Sequence, residues 1–186
     1  MKKYILTFIL LVISLLHIEG QNDAGFLNVP VVNGKVVFEQ FILADQGVTA
    51  NQRYALLQKW VKETFTGNPL LSGIRFDDKA RVVTVSAKAE LQLPPNKAGV
   101  RETMFMNYRF DATITNAGCV LVVRDITYQP AQKKGESFFP KIYTAEQTIT
   151  DQAVNVSGEE HELRNNLRIE TLHFLNKLYA DISAAF

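Results

Sequence analysis

The chain has 186 residues, 47% apolar and 21% charged, which is enough for one domain with a buried core and too ordinary for a disordered or disulfide-rich protein. A formal net charge of +1, with no basic run, argues against nucleic acid as a partner. A single cysteine, Cys119, excludes an intrachain disulfide.

Lys2 and Lys3 precede a nearly unbroken apolar run from Tyr4 to Leu16, closed by His17, Ile18, Glu19 and Gly20. This is the pattern of a secretory signal peptide. The run is short of the roughly 20 residues of a membrane span, so no retained span is expected. Cleavage is expected after Gly20, with Ala24 as the alternative. No cysteine follows the run to carry a lipid anchor. Of the 20 basic and 19 acidic residues, loss of Lys2, Lys3 and Glu19 leaves 18 of each, an uncharged balance. Residues 21–30 read as a tail and 31–186 as one domain.

Asn33-Gly34 is a turn signal, and Lys35 to Leu43 reads as a strand rich in β-formers. Asp45-Gln46-Gly47 breaks it. The segment Thr49 to Phe65 reads as a helix. Thr49 and Gln52 have capping-box spacing, and Tyr54, Leu57, Val61 and Phe65 fall on one stripe flanked by Leu56 and Trp60. Arg53, Gln58, Lys59, Lys62 and Glu63 cover the other side. Gly67, in a left-handed cap conformation, and Pro69 are expected to stop the helix.

Leu70 to Phe76 is a short strand candidate, with a turn at Asp77-Asp78-Lys79. From Arg81 to Leu93, Val83, Val85, Ala87, Ala89, Leu91 and Leu93 alternate with polar residues, as in a half-buried antiparallel strand. Ala87 and Ala89 leave room for a helix to approach. Pro94 to Gly99 is a loop. Arg101 to Thr115 alternates again: Met104, Met106, Tyr108, Phe110, Ala112 and Ile114 on one side, Asn107, Arg109, Asp111 and Thr113 on the other. Asn116-Ala117-Gly118 suits a three-residue hairpin with Gly118 left-handed. That register sets Thr115 against Cys119 and Arg109 against Asp125. It also puts Arg124 among apolar partners, so a slip or bulge is expected in the following strand. Pro130 to Pro140 is a loop with Lys133-Lys134-Gly135 at its tip. Ile142 to Val156 reads equally as short one-turn helical pieces or as a strand. Ser157 and Glu160 form a second capping-box pattern before a helix from about Gly158 to Ala184. Its stripe is Leu163, Leu167, Phe174, Leu178 and Ile182, widened by Ile169, Leu172, Leu175 and Tyr179.

The order is strand, helix, four strands, helix. The economical arrangement is an α+β domain: an antiparallel sheet of about five strands with two helices on one face, the other face being polar.

Sites for chemistry are sparse in this sequence. His161 and His173 lie twelve residues apart on one helix, about 18 Å along its axis, so they cannot share a metal. No metal-spaced Cys/His cluster, nucleophile elbow or phosphate-cradling loop occurs, and no cofactor is expected. Cys119 sits in an apolar run, where burial would raise its pKa. Asp77-Asp78 suits a turn and Glu159-Glu160 a helix start. Phe105, Trp60 and Phe138-Phe139-Pro140 are apolar residues that either cover core edges or form an exposed patch.

Three stretches resemble a known family: Val36-Val37-Phe38-Glu39 after Asn33-Gly34-Lys35, the helix segment Ala55-Leu56-Leu57-Gln58-Lys59-Trp60-Val61, and Ile149-Thr150-Asp151-Gln152-Ala153. They are similar to a bacterial domain-of-unknown-function family with a TATA-binding-protein-like (TBP-like) fold, over roughly residues 30–130. The resemblance implies β-α-β4-α topology and an export signal, and it carries over no functional residue. The fold name does not imply DNA binding.

The reading that follows is an exported, non-catalytic domain. It would bind an unidentified protein or envelope component through its polar sheet face or an edge, with Thr103, Asn107, Arg109, Asp111 and Asp125 as the candidate binding residues. The alternative is a helix-grip-like carrier of a small apolar ligand, held in a cavity over Ala87 and Ala89.

Overall fold

The computed structural model describes residues 25–44, 47–67, 73–96, 99–131 and 141–186. The expected signal peptide lies outside them, as do residues 45–46, Pro69, the Lys133-Lys134-Gly135 tip and Phe138-Phe139-Pro140.

Strands β1 (Val31–Val32) and β2 (Lys35–Val36) form a small hairpin, and β3 (Phe38–Leu43) follows after a break at Val37. Helix α1 (Ala50–Phe65) comes next, then the long antiparallel run β4 (Gly73–Asp77), β5 (Val82–Gln92), β6 (Thr103–Ile114) and β7 (Gly118–Pro130). The chain closes with β8 (Tyr143–Thr144), the one-turn helices α2 (Ala145–Thr148) and α3 (Asp151–Val154), and α4 (His161–Ser183). The main sheet runs β3-β7-β6-β5-β4, with β8 also paired to β7. The ambiguous stretch after Ile142 thus contains both kinds of structure, a two-residue strand and two one-turn helices.

One face of the sheet is the core face. Alternation buries Val83, Val85 and Leu91 on β5, Met104, Met106, Tyr108, Phe110, Ala112 and Ile114 on β6, and Cys119, Leu121, Val123, Ile126 and Tyr128 on β7. Both long helices cover this face. Leu57 and Val61 of α1 are buried there, and Phe65 packs on Phe110. Leu167, Leu175, Leu178 and Ile182 of α4 are buried, and Phe174 packs edge-on against Tyr108 with ring centroids 5.1 Å apart. Ile169, expected in the stripe, is exposed. Its place in the pattern belongs to Thr171, one turn from Leu167 and Leu175 and fully buried.

The first capping box forms as its spacing predicts. The Gln52 N–H donates to Thr49 Oγ1 (3.3 Å) and the Thr49 N–H to Gln52 Oε1 (2.9 Å), satisfying two of the donors a helix start leaves open. The helix end differs from expectation: Thr66 is the cap, its N–H donating to Lys62 O (3.2 Å), and Gly67 has no left-handed φ. The second capping box is absent. Helix α4 begins at His161 with no side-chain cap, because the Glu160 carboxylate is taken by Lys141 (2.6 Å) and Arg164 (3.2 Å). Arg53, assigned by periodicity to the polar side of α1, is buried. Its Nη1 donates to Thr115 O (3.1 Å) and Asn116 O (3.0 Å), pinning the β6–β7 hairpin to the helix.

That hairpin is one residue tighter than expected. Ile114 pairs with Cys119, and the Thr115 N–H donates to Gly118 O (2.8 Å). Gly118 has no positive φ. It is required for space instead: a Cβ there would fall on the Ile42 carbonyl oxygen and within 2.9 Å of Phe41 Cζ, at the Leu43–Gly118 end of the β3–β7 pairing. The expected Arg109–Asp125 pairing is likewise replaced. Arg109 stands opposite Arg124, and the register shifts between Asn107 and Arg109. Of the slip or bulge expected from the misfit of Arg124, both are present: the slip relieves the misfit and the bulge follows it. Asp125 is the bulge's extra residue, with a left-handed φ of 57°. The one-residue slip at the hairpin brings Arg124 to the polar face, and the bulge beyond it turns Val123 and Ile126 both inward.

Candidate functional site

The outer face of the sheet carries the polar residues of the alternation. Its centre is Asp111 on β6. Asp111 Oδ1 accepts from Thr84 Oγ1 (2.7 Å) on β5 and from Arg109 Nη2 (3.2 Å) two residues away. Oδ2 accepts from Arg124 Nε (3.2 Å) and Nη2 (2.8 Å) on β7. Burial alone would raise the Asp111 pKa, but the Thr84 hydroxyl and the two guanidinium groups together hold it below the usual carboxylate range. Arg109 and Arg124 are directly opposite each other, a like-charge pair that would oppose strand pairing without Asp111 between them.

The other predicted site residues take separate positions. Asn107 Nδ2 approaches Thr127 Oγ1 at 3.4 Å, and Thr103 Oγ1 donates to Gln92 Oε1 (3.2 Å). Both lie on the outer face further along β6. Asp125 is exposed at the bulge, off the row of Arg109 and Asp111. The structure thus joins Arg109 and Asp111 and adds Arg124 and Thr84, which the sequence reading had not placed in the site. The signal for Arg124 was its misfit in an apolar register. Thr84 gave none beyond its place in the polar half of β5.

Apolar residues flank this cluster. On β3, Glu39, Phe41 and Leu43 point to the outer face and are exposed, and Phe41 pairs with the half-buried Val120. Phe105 is half-buried beneath the ammonium of Lys88, 4.1 Å from its ring centroid, so it covers a cation–π contact. Trp60 packs edge-on against Phe65 and belongs to the core margin.

The remaining candidates serve the fold. Asp77 Oδ1 accepts from the Ala80 N–H, and Asp78 Oδ1 from Tyr54 Oη (3.0 Å) and Gln58 Nε2 (3.0 Å), so this acidic pair shapes a turn and ties it to α1. Cys119 is buried, and burial pushes its thiol up to about 12. His161 and His173 are exposed on α4. Ala87 is buried beside its cross-strand neighbour Tyr108, on which Phe174 packs. Ala89, partly buried, is the cross-strand neighbour of the buried Met106.

No protein-family model matches the chain, and the comparison with curated proteins finds no relative. Solved structures do match. A TBP-like protein from Parabacteroides distasonis superposes with a TM-score of 0.65 at 20% identity, covering 84% of this chain and 96% of that one. A DUF4468 family protein from Bacteroides ovatus gives 0.68 at 21% identity, covering 90% and 95%. The fold is TBP-like. The likeness supports the resemblance read from the Asn33–Glu39 and Ala55–Val61 stretches to a bacterial family of unknown function. Its coverage is too broad for residues 30–130 alone, so the shared architecture takes in the C-terminal part as well. At these identities what is shared is the fold, and neither neighbour's description names an activity.

Proposed function

We propose that this chain is an exported, non-catalytic domain that binds a protein or another envelope component through the outer face of its sheet. Export rests on the signal-peptide pattern of residues 2–20. The observation that carries the binding reading is the Arg109–Asp111–Arg124 cluster. It holds two half-exposed guanidinium groups in fixed positions, on a sheet face that further along β3 also carries the exposed apolar residues Phe41 and Leu43. Fixed donors that share a face with apolar area are what an interface uses, since little side-chain entropy remains to be lost on binding. The non-catalytic part rests on the same geometry. Arg109, Asp111 and Arg124 are committed to one another, and the buried Cys119 thiol stays protonated at neutral pH.

The test is capture from envelope extracts with the tagged protein and with an Arg109→Gln/Arg124→Gln double variant, folding being confirmed by circular dichroism. Loss of a partner retained by the parent supports the reading. An identical set of captured proteins and glycans from parent and variant sinks it. Sequencing the N-terminus of the cell-derived protein tests export separately: Gln21 is the expected first residue, and an intact Met1 contradicts it.

A further inference from the structure

The bulge at Asp125 also bears on the outer edge of β7. The outer edge of β7 is covered by β3 as far as Val123, which pairs with Phe38, and again by β8 from Thr127, which pairs with Thr144. Between them, at Arg124, Asp125 and Ile126, the pairing is interrupted on this side, where the chain also breaks strand geometry at Val37. The result is a notch of 360 Å³, whose polar lining is Lys35, Arg124, Asp125, Thr127, Thr144 and Glu146, with Val36, Val37 and Ile126 as its apolar wall. That volume is at the small end of the range for small-molecule sites, about 300–1,000 Å³.

The charges of the notch are paired in sign and only partly committed. Arg124 is engaged with Asp111 through Nε and Nη2. Glu146 Oε1 accepts the Val36 N–H (3.1 Å). Burial alone would raise the Glu146 pKa, but its own N–H, the Val36 N–H, the Lys35 charge and the Thr144 hydroxyl hold it below the usual carboxylate range. Lys35 and Asp125 are both exposed, and neither forms an ion pair among the described residues. Asp125 is also one of three non-glycine residues with positive φ among those described. The left-handed conformation is unfavourable for most side chains and less so for Asp and Asn. Such outliers cluster at functional sites.

We propose that this notch is a binding site for a small zwitterion carrying one ammonium and one carboxylate, of the α-amino-acid class. Asp125 receives the ammonium and Lys35 receives the carboxylate. Two positive and two negative side chains line the notch, so a lone anion meets Asp125 and Glu146 as well as Lys35, and a lone cation meets the reverse. Only a ligand with both signs gives an ion-pair partner to Lys35 and Asp125 together. The inference goes beyond the sheet-face reading, and its test involves neither Arg109 nor a macromolecular partner.

The test is an amide NMR titration of the purified protein with L-alanine, L-phenylalanine, L-glutamate and L-lysine, and with propionate and ethylamine as single-charge controls. The expected result is saturable shifts at Asp125, Thr127 and Thr144 with at least one amino acid, and affinity for both controls at least tenfold weaker. Asp125→Asn keeps a residue at ease in the left-handed region and removes only the charge. It should weaken binding at least tenfold, as should Lys35→Met. Absence of shifts with all four amino acids overturns the proposal. So does equal affinity for a control, or unaltered binding in folded Asp125→Asn.

Discussion

The Tyr128 hydroxyl of β7 lies 2.8 Å from the Thr171 hydroxyl of α4, and both residues are fully buried. This is a polar tie through the middle of an otherwise apolar layer, and it fixes the rotation of α4 about its axis over the sheet. Burial also keeps the Tyr128 phenol from ionising, its pKa being raised far above the ordinary value.

Removing one partner strands the other. Tyr128→Phe and Thr171→Val should each destabilise the domain by about 1–2 kcal/mol, the cost of a buried hydroxyl left without its bond. The double variant should lose less than the sum, with a coupling of about 1 kcal/mol in a urea-denaturation cycle. Strict additivity would show that the two hydroxyls do not support each other.

Gly118 and Gly73 should respond in opposite ways to the same change. Gly118→Ala drives a methyl group into the Ile42 carbonyl, and neither β3 nor β7 can retreat without losing pairing. A loss of about 3 kcal/mol is expected. At Gly73 the nearest atom to an added Cβ is Ser86 Cβ at 3.8 Å, and φ is not positive. Gly73→Ala should therefore be neutral or stabilise by up to about 1 kcal/mol, because alanine loses less backbone entropy on folding. Thermal melts of the two variants side by side check both signs.

What was legible in the sequence had local causes. The α1 start was set by Thr49 and Gln52, within one turn of each other. The faces of β5 and β6 followed from period-two alternation, and the departure from the simple register on β7 from one arginine that it would have buried. What escaped was set by distant groups. Arg53 sits beside Tyr54 and one turn before Leu57, but only the carbonyls of Thr115 and Asn116, some sixty residues on, give its charge a reason to be buried. Thr171 had core spacing and a hydroxyl that argued against it until Tyr128 supplied a partner. The Ser157–Glu160 box failed because Lys141 and Arg164 compete for the same carboxylate. For the candidate site, the polar row on β6 was readable and the third strand's contribution was not. A one-residue slip exchanges Asp125 for Arg124.

The outer-face cluster should show itself in acid. The Asp111 pKa is lowered in the fold, against about 3.9 unfolded. Between those two values the unfolded chain binds more protons than the folded one. The contribution of Asp111 is thus complete above the unfolded value and is lost as pH falls through the folded one. Asp111→Asn should flatten the acid limb of a stability–pH profile below about pH 4. At neutral pH it should cost about 1–2 kcal/mol, as Arg109 and Arg124 then face each other uncompensated on a partly solvated surface. An acid limb identical to that of the parent would mean that Asp111 is not held in its charged form by these partners.

The last expectation concerns Arg53, whose guanidinium is the link between α1 and the β6–β7 hairpin. Asn116 and Ala117 are exposed, so water can reach part of what Arg53 now satisfies, while the side chain itself is buried at 2% exposure. Arg53→Met keeps the apolar stem and deletes the donors. A loss of about 2 kcal/mol is expected, the scale of hydrogen bonds from a charged group. Arg53→Lys should recover only part of it, since the ammonium sits on a shorter, differently shaped stem and is more strongly hydrated than the guanidinium it replaces in this buried position. Hydrogen exchange separates this local effect from general destabilisation. The Thr115 amide, bonded to Gly118 O across the hairpin, should lose protection in Arg53→Met more than the amides at the β5–β6 centre do. If all amides lose protection equally, Arg53 supports the whole domain and the hairpin has no special dependence on it. If none do, the two carbonyl bonds add nothing that water does not replace.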